Sequence, residues 1–408
     1  MQCGLLGRKL SHSYSPQIHN ALADYNYCLY EVEPEELDAF FRDTTFTGIN
    51  VTIPYKKTVI SYCSELTDRA KMLGAVNTIV RTQDGRLIGH NTDYFGFDSM
   101  LKKSGLSVNG KKVLVLGSGG ASATVVAVLT ENGATPVVIS RSGENNYGNL
   151  HLHADAAVIV NATPVGMYPE VDSSPVDLQL FPNLEGILDL IYNPARTKLL
   201  MQAEEMGLVT ENGLWMLVAQ AKESAEWFSG HKIDDAVIKT IHQKLRLQME
   251  NLILVGMPGC GKSTVGRILA KKLQKKFIDA DCKIIETAGM PIPQIFAASG
   301  EAGFRRIETQ VLAEQAKHSG LVIATGGGCV TRPENYAHLH RNGTILWLKR
   351  DLNKLPTDGR PLSKAGELDK MYTIRKPMYE AFSDVSFDND SEPVETADKI
   401  IAMLNQEV

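Results

Sequence analysis

The run Gly256-Met-Pro-Gly-Cys-Gly-Lys262-Ser263 fits the spacing G-x-x-x-x-G-K-S and follows the strand-like stretch Leu252–Val255. In such a loop the backbone amides wrap phosphate oxygens, the lysine neutralises developing charge, and the serine hydroxyl ligates Mg2+. Gly259, Cys260, Gly261, Lys262, Ser263 and Thr264 are the expected nucleotide contacts, with Cys260 a small filler of the loop and not a nucleophile. In Phe277-Ile-Asp279-Ala-Asp281, Asp279 suits the metal ion. Asp281, two residues on and on the same side of an extended chain, suits the proton of an attacking hydroxyl. Paired helix caps would look the same. Thr325-Gly-Gly-Gly328 allows close backbone approach to a ligand, as would a plain tight turn. Arg305, Arg360 and Arg375 offer planar cationic forks for a carboxylate or a transferred phosphoryl group.

The first half of the chain carries different chemistry. Reducing a carbonyl needs a hydride donor and a positioned proton source. Lys56, in Asn50-Val-Thr-Ile-Pro-Tyr-Lys56, and Asp93, in Asn91-Thr-Asp93, suit that pairing, and either of the two is open as the acid. Around them stand Thr52, Asn77 and the hydroxyl cluster Ser13-Tyr-Ser15, short donors and acceptors that would fix a polyhydroxylated substrate. Gly117-Ser118-Gly119-Gly120-Ala121 follows a strand and opens a helix, where amides and the helix dipole can hold a pyrophosphate. The next strand ends in Ser140-Arg141-Ser142 instead of an acidic residue, which suits the 2′-phosphate of NADP(H) over the ribose of NAD.

These residues must be positioned by alternating strands and helices, which favours α/β layers with mostly parallel sheets. Strands are expected at Lys111–Leu116, Pro136–Ser140, Ala157–Asn161, Gly186–Ile191 and Asn251–Gly256, and helices from Asp93 to about Lys103 and over Asp234–Leu247. The expected domains are 1–100, 101–247 and 250–408, with 213–247 packing back on the first and no Gly/Ser- or Pro-rich linker before the third. A chain of 408 residues is long enough for two to three such domains. Net charge −5 argues against a nucleic-acid protein. Apolar stretches such as Val125–Leu129 fall far short of the roughly 18 residues that span a membrane. The start, MQCGLLGRKL, lacks a signal-peptide core, and the scattered cysteines show no C-x-x-C. A cytoplasmic setting with small-molecule substrates, and neither nucleic acid nor membrane as partner, is expected.

Beyond these single motifs, Leu10-Ser-His-Ser-Tyr-Ser-Pro-Gln-Ile-His-Asn20 resembles the S-x-S-P-x-x-H-N signature of shikimate dehydrogenases. Asn50–Lys56, Gly74-Ala-Val-Asn-Thr78, Asn91–Asp93, Gly117–Ser122, Asn161–Met167, Asp189–Pro194 and Gly213–Ala221 follow in family order. The resemblance covers about residues 1–245. It implies that Ser13, Ser15, Thr52, Asn77, Tyr192 and Gln220 hold the substrate and that Lys56 and Asp93 serve proton transfer. Gly117, Gly119, Gly120, Arg141, Gly213 and Met216 would line an NADP(H) site. Ala123 stands where the family commonly has an arginine, and Ser142-Gly-Glu-Asn-Asn-Tyr147 lacks a second basic residue after Arg141.

Residues 250–408 resemble shikimate kinases through Asp279-x-Asp281, Phe304-Arg305, Gly326-Gly-Gly328, Gly359-Arg-Pro-Leu362 and Arg375-Lys-Pro-Met-Tyr379. The resemblance implies that Asp281, Arg305, Gly327 and Arg375 bind shikimate and that Arg360 reaches the phosphates of ATP from a lid. Pro356 lies near the usual place of an adenine-stacking arginine. The fold implied is an α/β substrate domain, a Rossmann-type doubly wound domain and a P-loop parallel α/β kinase domain. The function implied is reduction of 3-dehydroshikimate with NADPH followed by phosphorylation of shikimate with MgATP. A dehydrogenase preferring quinate or NAD beside the same kinase is one alternative, and a non-catalytic ligand-sensing regulator built from both folds is another.

Overall fold

In the computed structural model, Met1–Leu10, Ser13–Leu355 and Glu367–Gln406 are described. They form two compact units, one of Met1–Tyr192 with Thr197–His242, the other of Asn193–Arg196 with Gln243–Val408. Among the described residues, no helix is long and apolar enough to cross a membrane.

The first unit holds two sheets. The first uses β1 (Gln2–Gly7), β2 (Asn26–Glu31), β3 (Gly48–Val51), β4 (Glu65–Leu66), β5 (Thr78–Arg81) and β6 (Leu87–His90), in the order β2-β1-β3-β5-β6-β4. It is mostly parallel, as expected, with one exception: β5 runs antiparallel to both β3 and β6, while β1–β2, β1–β3 and β4–β6 pair in parallel. The reason is local. Only Thr82–Arg86 separates β5 from β6, with Thr82 N donating to Arg86 O, too short a link for a parallel crossover. This reversal positions the site. The ends of β1, β3 and β6 and the start of β5 lie at one edge, so Ser13–Ser15, Thr52, Asn77 and Asp93 converge there.

The second sheet uses β7 (Lys112–Leu116), β8 (Thr135–Ile139), β9 (Val158–Asn161), β10 (Gly186–Asp189) and β11 (Val209–Asn212), all parallel, in the order β11-β10-β9-β7-β8. Strand β7 shows why both faces are covered. Val113 and Val115 join one buried apolar cluster, Leu114 and Leu116 another, as the two-residue period of a strand requires. The chain order reverses direction at β7, which leaves a crevice at the carboxyl ends of β7 and β9. Helix Leu214–Ser229 packs back onto β3 and β5, with Phe228 seated on Gly48.

Helix Ala236–Met249 follows, burying Ile238, Ile241 and Leu245 while Val237 is half-buried. The sheet of the second unit begins at Asn251 and uses β12 (Asn251–Val255), β13 (Lys276–Asp279), β14 (Leu321–Ala324), β15 (Gly343–Lys349) and β16 (Val385–Asp388). All are parallel, in the order β13-β14-β12-β15-β16. Leu252–Val255, central in that sheet, are buried together in one core with Val265, Leu269, Leu346 and Leu348.

Candidate active sites

At the edge of the first sheet, Lys56 Nζ donates to Asp93 Oδ2 over 2.6 Å. Asp93 opens helix Asp93–Ser104, where the positive end of the helix favours a carboxylate. Its other oxygen, Oδ1, accepts from Asn77 Nδ2 at 3.0 Å, and Asn77 Oδ1 accepts the Thr92 amide at 2.8 Å. Backbone bonds hold the partners in place: Val76 N donates to Lys56 O, and Asn77 N to His90 O. The expected pair is therefore assembled, with Asn77 orienting it.

A residue not singled out from sequence ties this group together. Ser224 is fully buried, accepts from Asn50 Nδ2 (2.8 Å), donates to Gln220 O (2.9 Å) and lies 2.9 Å from both Thr78 Oγ1 and Thr92 Oγ1. Its spacing of four from Gln220 puts both on one helical face, a signal that was present in the sequence. Helix Leu214–Ser229 lies close against Asp93–Ser104: a Cβ on Gly96 would come within 2.9 Å of Gln220 Cβ and of Met216 O. Both of these residues are thus beside the Asp93 helix, although the Gln220 side chain turns back to Leu217 O. Tyr192 meets the Ser13–Ser15 segment through an edge-on contact of its ring with Tyr14, centroids 6.3 Å apart. Burial raises both phenols. Ser15 N donates to Ser13 Oγ at 3.2 Å, and Thr52 N to Leu6 O. Ser11 and His12 lie outside the described residues.

At the second sheet, Gly117 has φ +100°, a conformation that favours glycine, and packs on Ala162 and Thr163. Helix Gly120–Glu131 starts directly after, capped by Gly119. A Cβ on Gly119 or Gly120 would meet nothing within 4 Å, so the helix start is sterically open to a pyrophosphate, with Ser118 and Ala121 flanking it. Ser140, Arg141 and Ser142 follow β8, with Arg141 and Ser142 exposed and Ser140 N bound to Asn145 O. This set fits a phosphorylated dinucleotide. Gly213 precedes helix Leu214–Ser229 and packs against Leu190. Below the crevice, fully buried Asp189 accepts from Thr197 Oγ1 (2.7 Å), Asn161 Nδ2 (3.0 Å) and Ile191 N (3.1 Å). Burial pushes its carboxyl up to about 6 against the pull of those hydrogen bonds.

In the second unit, the glycine loop joins β12 to helix Lys262–Lys272 through Gly261 at φ +100°. Lys262 is buried and donates to Gly256 O (2.8 Å) and Met257 O (3.0 Å). Ser263 Oγ donates to Asp279 Oδ2 at 2.8 Å, the oxygen pair expected for the metal. It fits Mg2+, which takes one or two protein oxygens beside phosphate and water. Cys260 is fully buried within the loop.

The aspartate pair needs a correction. Asp279 ends β13 and caps helix Ala280–Ala288, and Asp281 sits in its first turn, so the two do not share one side of an extended chain. Asp279 accepts the Asp281 amide at 3.1 Å, the local bond that makes aspartate a strong cap. The consequence is divergence. Asp279 faces Ser263, whereas Asp281 Oδ1 lies 3.3 Å from where a Cβ on Gly326 would stand.

The cationic forks converge on the glycine run. Arg305 Nη1 donates to fully buried Glu308 at 2.6 Å, Nη2 to Glu301 at 3.2 Å, and its guanidinium lies against Gly328. Arg375 Nη1 donates to Gly327 O at 3.2 Å, and the Tyr379 hydroxyl donates to the same carbonyl. Glu308, three residues after Arg305, and Tyr379, four after Arg375, were legible as helical-face partners but were not assigned. Burial raises the Glu308 carboxyl, Arg305 pulls it down and Asp281 raises it further. Arg360 and Pro356 lie outside the described residues.

Comparison with known proteins decides the family. The chain is 35% identical over 265 residues to a shikimate dehydrogenase (NADP(+)) of Clostridium perfringens, covering 60% of this chain and 97% of that protein. The chain belongs to the shikimate dehydrogenase family. Residues 5–79 match the model of the shikimate dehydrogenase substrate binding domain, and residues 258–405 match that of shikimate kinase. The crystal structure of shikimate dehydrogenase 1 from Peptoclostridium difficile is 38% identical with a TM-score of 0.56, covering 60% of this chain and 97% of that one. The shikimate dehydrogenase of Thermus thermophilus, solved with NADP(H) and shikimate, is 29% identical with a TM-score of 0.55, over 60% of this chain and 99% of that one. A shikimate dehydrogenase and a shikimate kinase domain thus follow one another in a single chain.

Proposed function

We propose that the chain catalyses two consecutive steps, NADPH-dependent reduction of 3-dehydroshikimate to shikimate and MgATP-dependent phosphorylation of shikimate at its 3-hydroxyl. The observation that supports the reading is that each half brings the proposed groups together: Lys56 donates to Asp93 in one, and Ser263, next to Lys262 in the chain, donates to Asp279 in the other. NADPH supplies the hydride, and MgATP the phosphoryl group.

In the first half, Lys56 and Asp93 deliver the proton that the carbonyl oxygen takes as its carbon is reduced. Asn77 holds Asp93 in orientation, and Ser13, Ser15, Thr52, Tyr192 and Gln220 hold the ring hydroxyls and the carboxylate. The Gly117–Ala121 turn and Arg141 bind the phosphates of the dinucleotide, with Gly213 and Met216 alongside. In the second half, Arg305, Arg375 and Gly327 fix the acceptor, and Asp281 takes the proton of its attacking hydroxyl as the new oxygen–phosphorus bond forms and the bond from the γ-phosphorus to the leaving ADP oxygen breaks. Lys262 offsets charge on the transferred group, and Ser263 with Asp279 holds Mg2+. Domains 1–100, 101–247 and 250–408 are proposed as the working units, in the cytoplasm.

The test is product analysis with each cofactor omitted in turn. Shikimate should form with NADPH alone, and shikimate 3-phosphate only when MgATP is added. Absence of NADPH oxidation would refute the first step, and accumulation of unphosphorylated shikimate the second.

A further inference from the structure

We infer that Arg350 is a nucleotide-binding residue of the kinase half, gripping the α-phosphate and nucleoside end of ATP from the side of the glycine loop opposite the acceptor. The inference rests on the kinase reading and adds a residue to that site.

The strand order β13-β14-β12-β15-β16 places the loop that leaves β12 between two flanks. The β13/β14 flank carries Asp279, Asp281 and Gly326–Gly328, with Arg305 and Arg375 drawn against those glycines. It is committed to the acceptor and the metal. The transferred end of a triphosphate must face that flank, so the rest of the nucleotide runs toward the other.

On the other flank, β15 pairs with β12 so that Val255 lies opposite Trp347. Arg350, three residues beyond Trp347, therefore leaves the sheet beside the loop. Its Nη1 lies 3.9 Å from where a Cβ on Gly261 would stand, and Gly261 is the N-cap of helix Lys262–Lys272. Arg350 is half-buried, and its Nε is buried with no hydrogen-bond partner among the described residues. Such a donor costs free energy unless a ligand takes it.

The surroundings are held firmly. Asn389 Nδ2 donates to Cys260 O at 2.6 Å, and Asn389 Oδ1 accepts from Thr396 Oγ1 at 2.7 Å. The carboxyl of Asp390 is lowered chiefly by the Asp351 amide, 2.9 Å from Oδ1, and less by Lys354 Nζ at 3.6 Å and by the Arg350 charge, so its hydrogen bond goes to that amide and not to the guanidinium. A guanidinium with free donors at a helix N-terminus suits a phosphate bidentately, and its flat face suits an adenine ring.

The experiment compares the full-length native chain with Arg350→Ala and Arg350→Lys, by steady-state phosphorylation and by calorimetric titration with MgADP. Loss of one charge-assisted contact should raise KM for ATP and Kd for MgADP roughly tenfold in the alanine variant, with KM for shikimate unchanged. Lysine, lacking the fork, should restore only part. Reduction of 3-dehydroshikimate by the same samples monitors the amount of active protein. Nucleotide constants within twofold of native in both variants would overturn the inference, as would equal rises in the KM values of ATP and shikimate. A native chain that binds no MgADP would instead overturn the kinase reading itself, and the inference with it.

Discussion

Asn77 Nδ2 donates to Asp93 Oδ1 at 3.0 Å while Lys56 donates to the opposite oxygen of the same carboxylate at 2.6 Å. The aspartate is held from both sides, so the lysine ammonium is fixed at the sheet edge where the substrate hydroxyls are expected to dock. This arrangement holds the proposed proton source stiffly, with Asp93 buried and Lys56 half-buried.

Replacing Lys56 with alanine should therefore cost turnover and not cofactor binding. The kcat for 3-dehydroshikimate reduction is expected to fall by about 100-fold or more, with the Kd of NADPH within twofold of native. Phosphorylation of added shikimate by the same variant should be unchanged. The reciprocal variant, Lys262→Ala, should abolish phosphorylation and leave reduction intact. Loss of both activities in either variant would contradict separate sites.

Arg141 is exposed at the end of β8, where it has room to meet a 2′-phosphate. Arg141→Ala should raise KM for NADPH by about tenfold and leave KM for NADH unchanged. Equal changes for the two cofactors would remove Arg141 from the phosphate site.

Asp189 makes a pH-dependent contribution. Its carboxyl is raised from 3.8 to about 6 in the fold, chiefly by burial. The stabilisation from its neutral form is thus fully present below about pH 4 and is lost as pH rises through about 6. Asp189→Asn keeps the shape and removes the titration. Relative to native, the variant should gain on the order of 2 kcal/mol between pH 4 and pH 7.5, measured by urea unfolding. A constant offset between the two proteins across that range would show that Asp189 does not titrate there.

Glu308 is the buried counter-charge of Arg305, with a side chain 0% exposed. Among the described residues, truncation to alanine leaves the exposed Glu301 as the remaining ion-pair partner of the guanidinium. A loss of about 3 kcal/mol in the stability of the second unit is expected, together with a raised KM for shikimate. Unchanged thermal unfolding would mean that the pair contributes no net stability.

The glycine loop and the alternation of strands and helices were legible because each depends on short-range spacing; Lys56 and Asp93, 37 residues apart, were legible because each lies in its own short polar motif. The strands expected at Lys111–Leu116 and Ala157–Asn161 appear at Lys112–Leu116 and Val158–Asn161. Part of what escaped depends on contacts distant in sequence, and part on burial and local backbone geometry. The Ser224 hydroxyl gathers Asn50, Thr78 and Thr92 only after helix Leu214–Ser229 folds back, and Glu308 becomes a counter-charge only once Arg305 is buried. The antiparallel β5 needed the hairpin at Thr82–Arg86 to be recognised, and the Asp279–Asp281 geometry turned on which residue caps the helix.

The most direct test of the two-step account is a single incubation of the pure chain with 3-dehydroshikimate, MgATP and NADPH deuterated at C4, read by mass spectrometry. Two steps on one chain predict shikimate 3-phosphate carrying one deuterium, absent when either cofactor is withheld. Deuterated shikimate that never acquires phosphate, or no deuterium transfer at all, would contradict it.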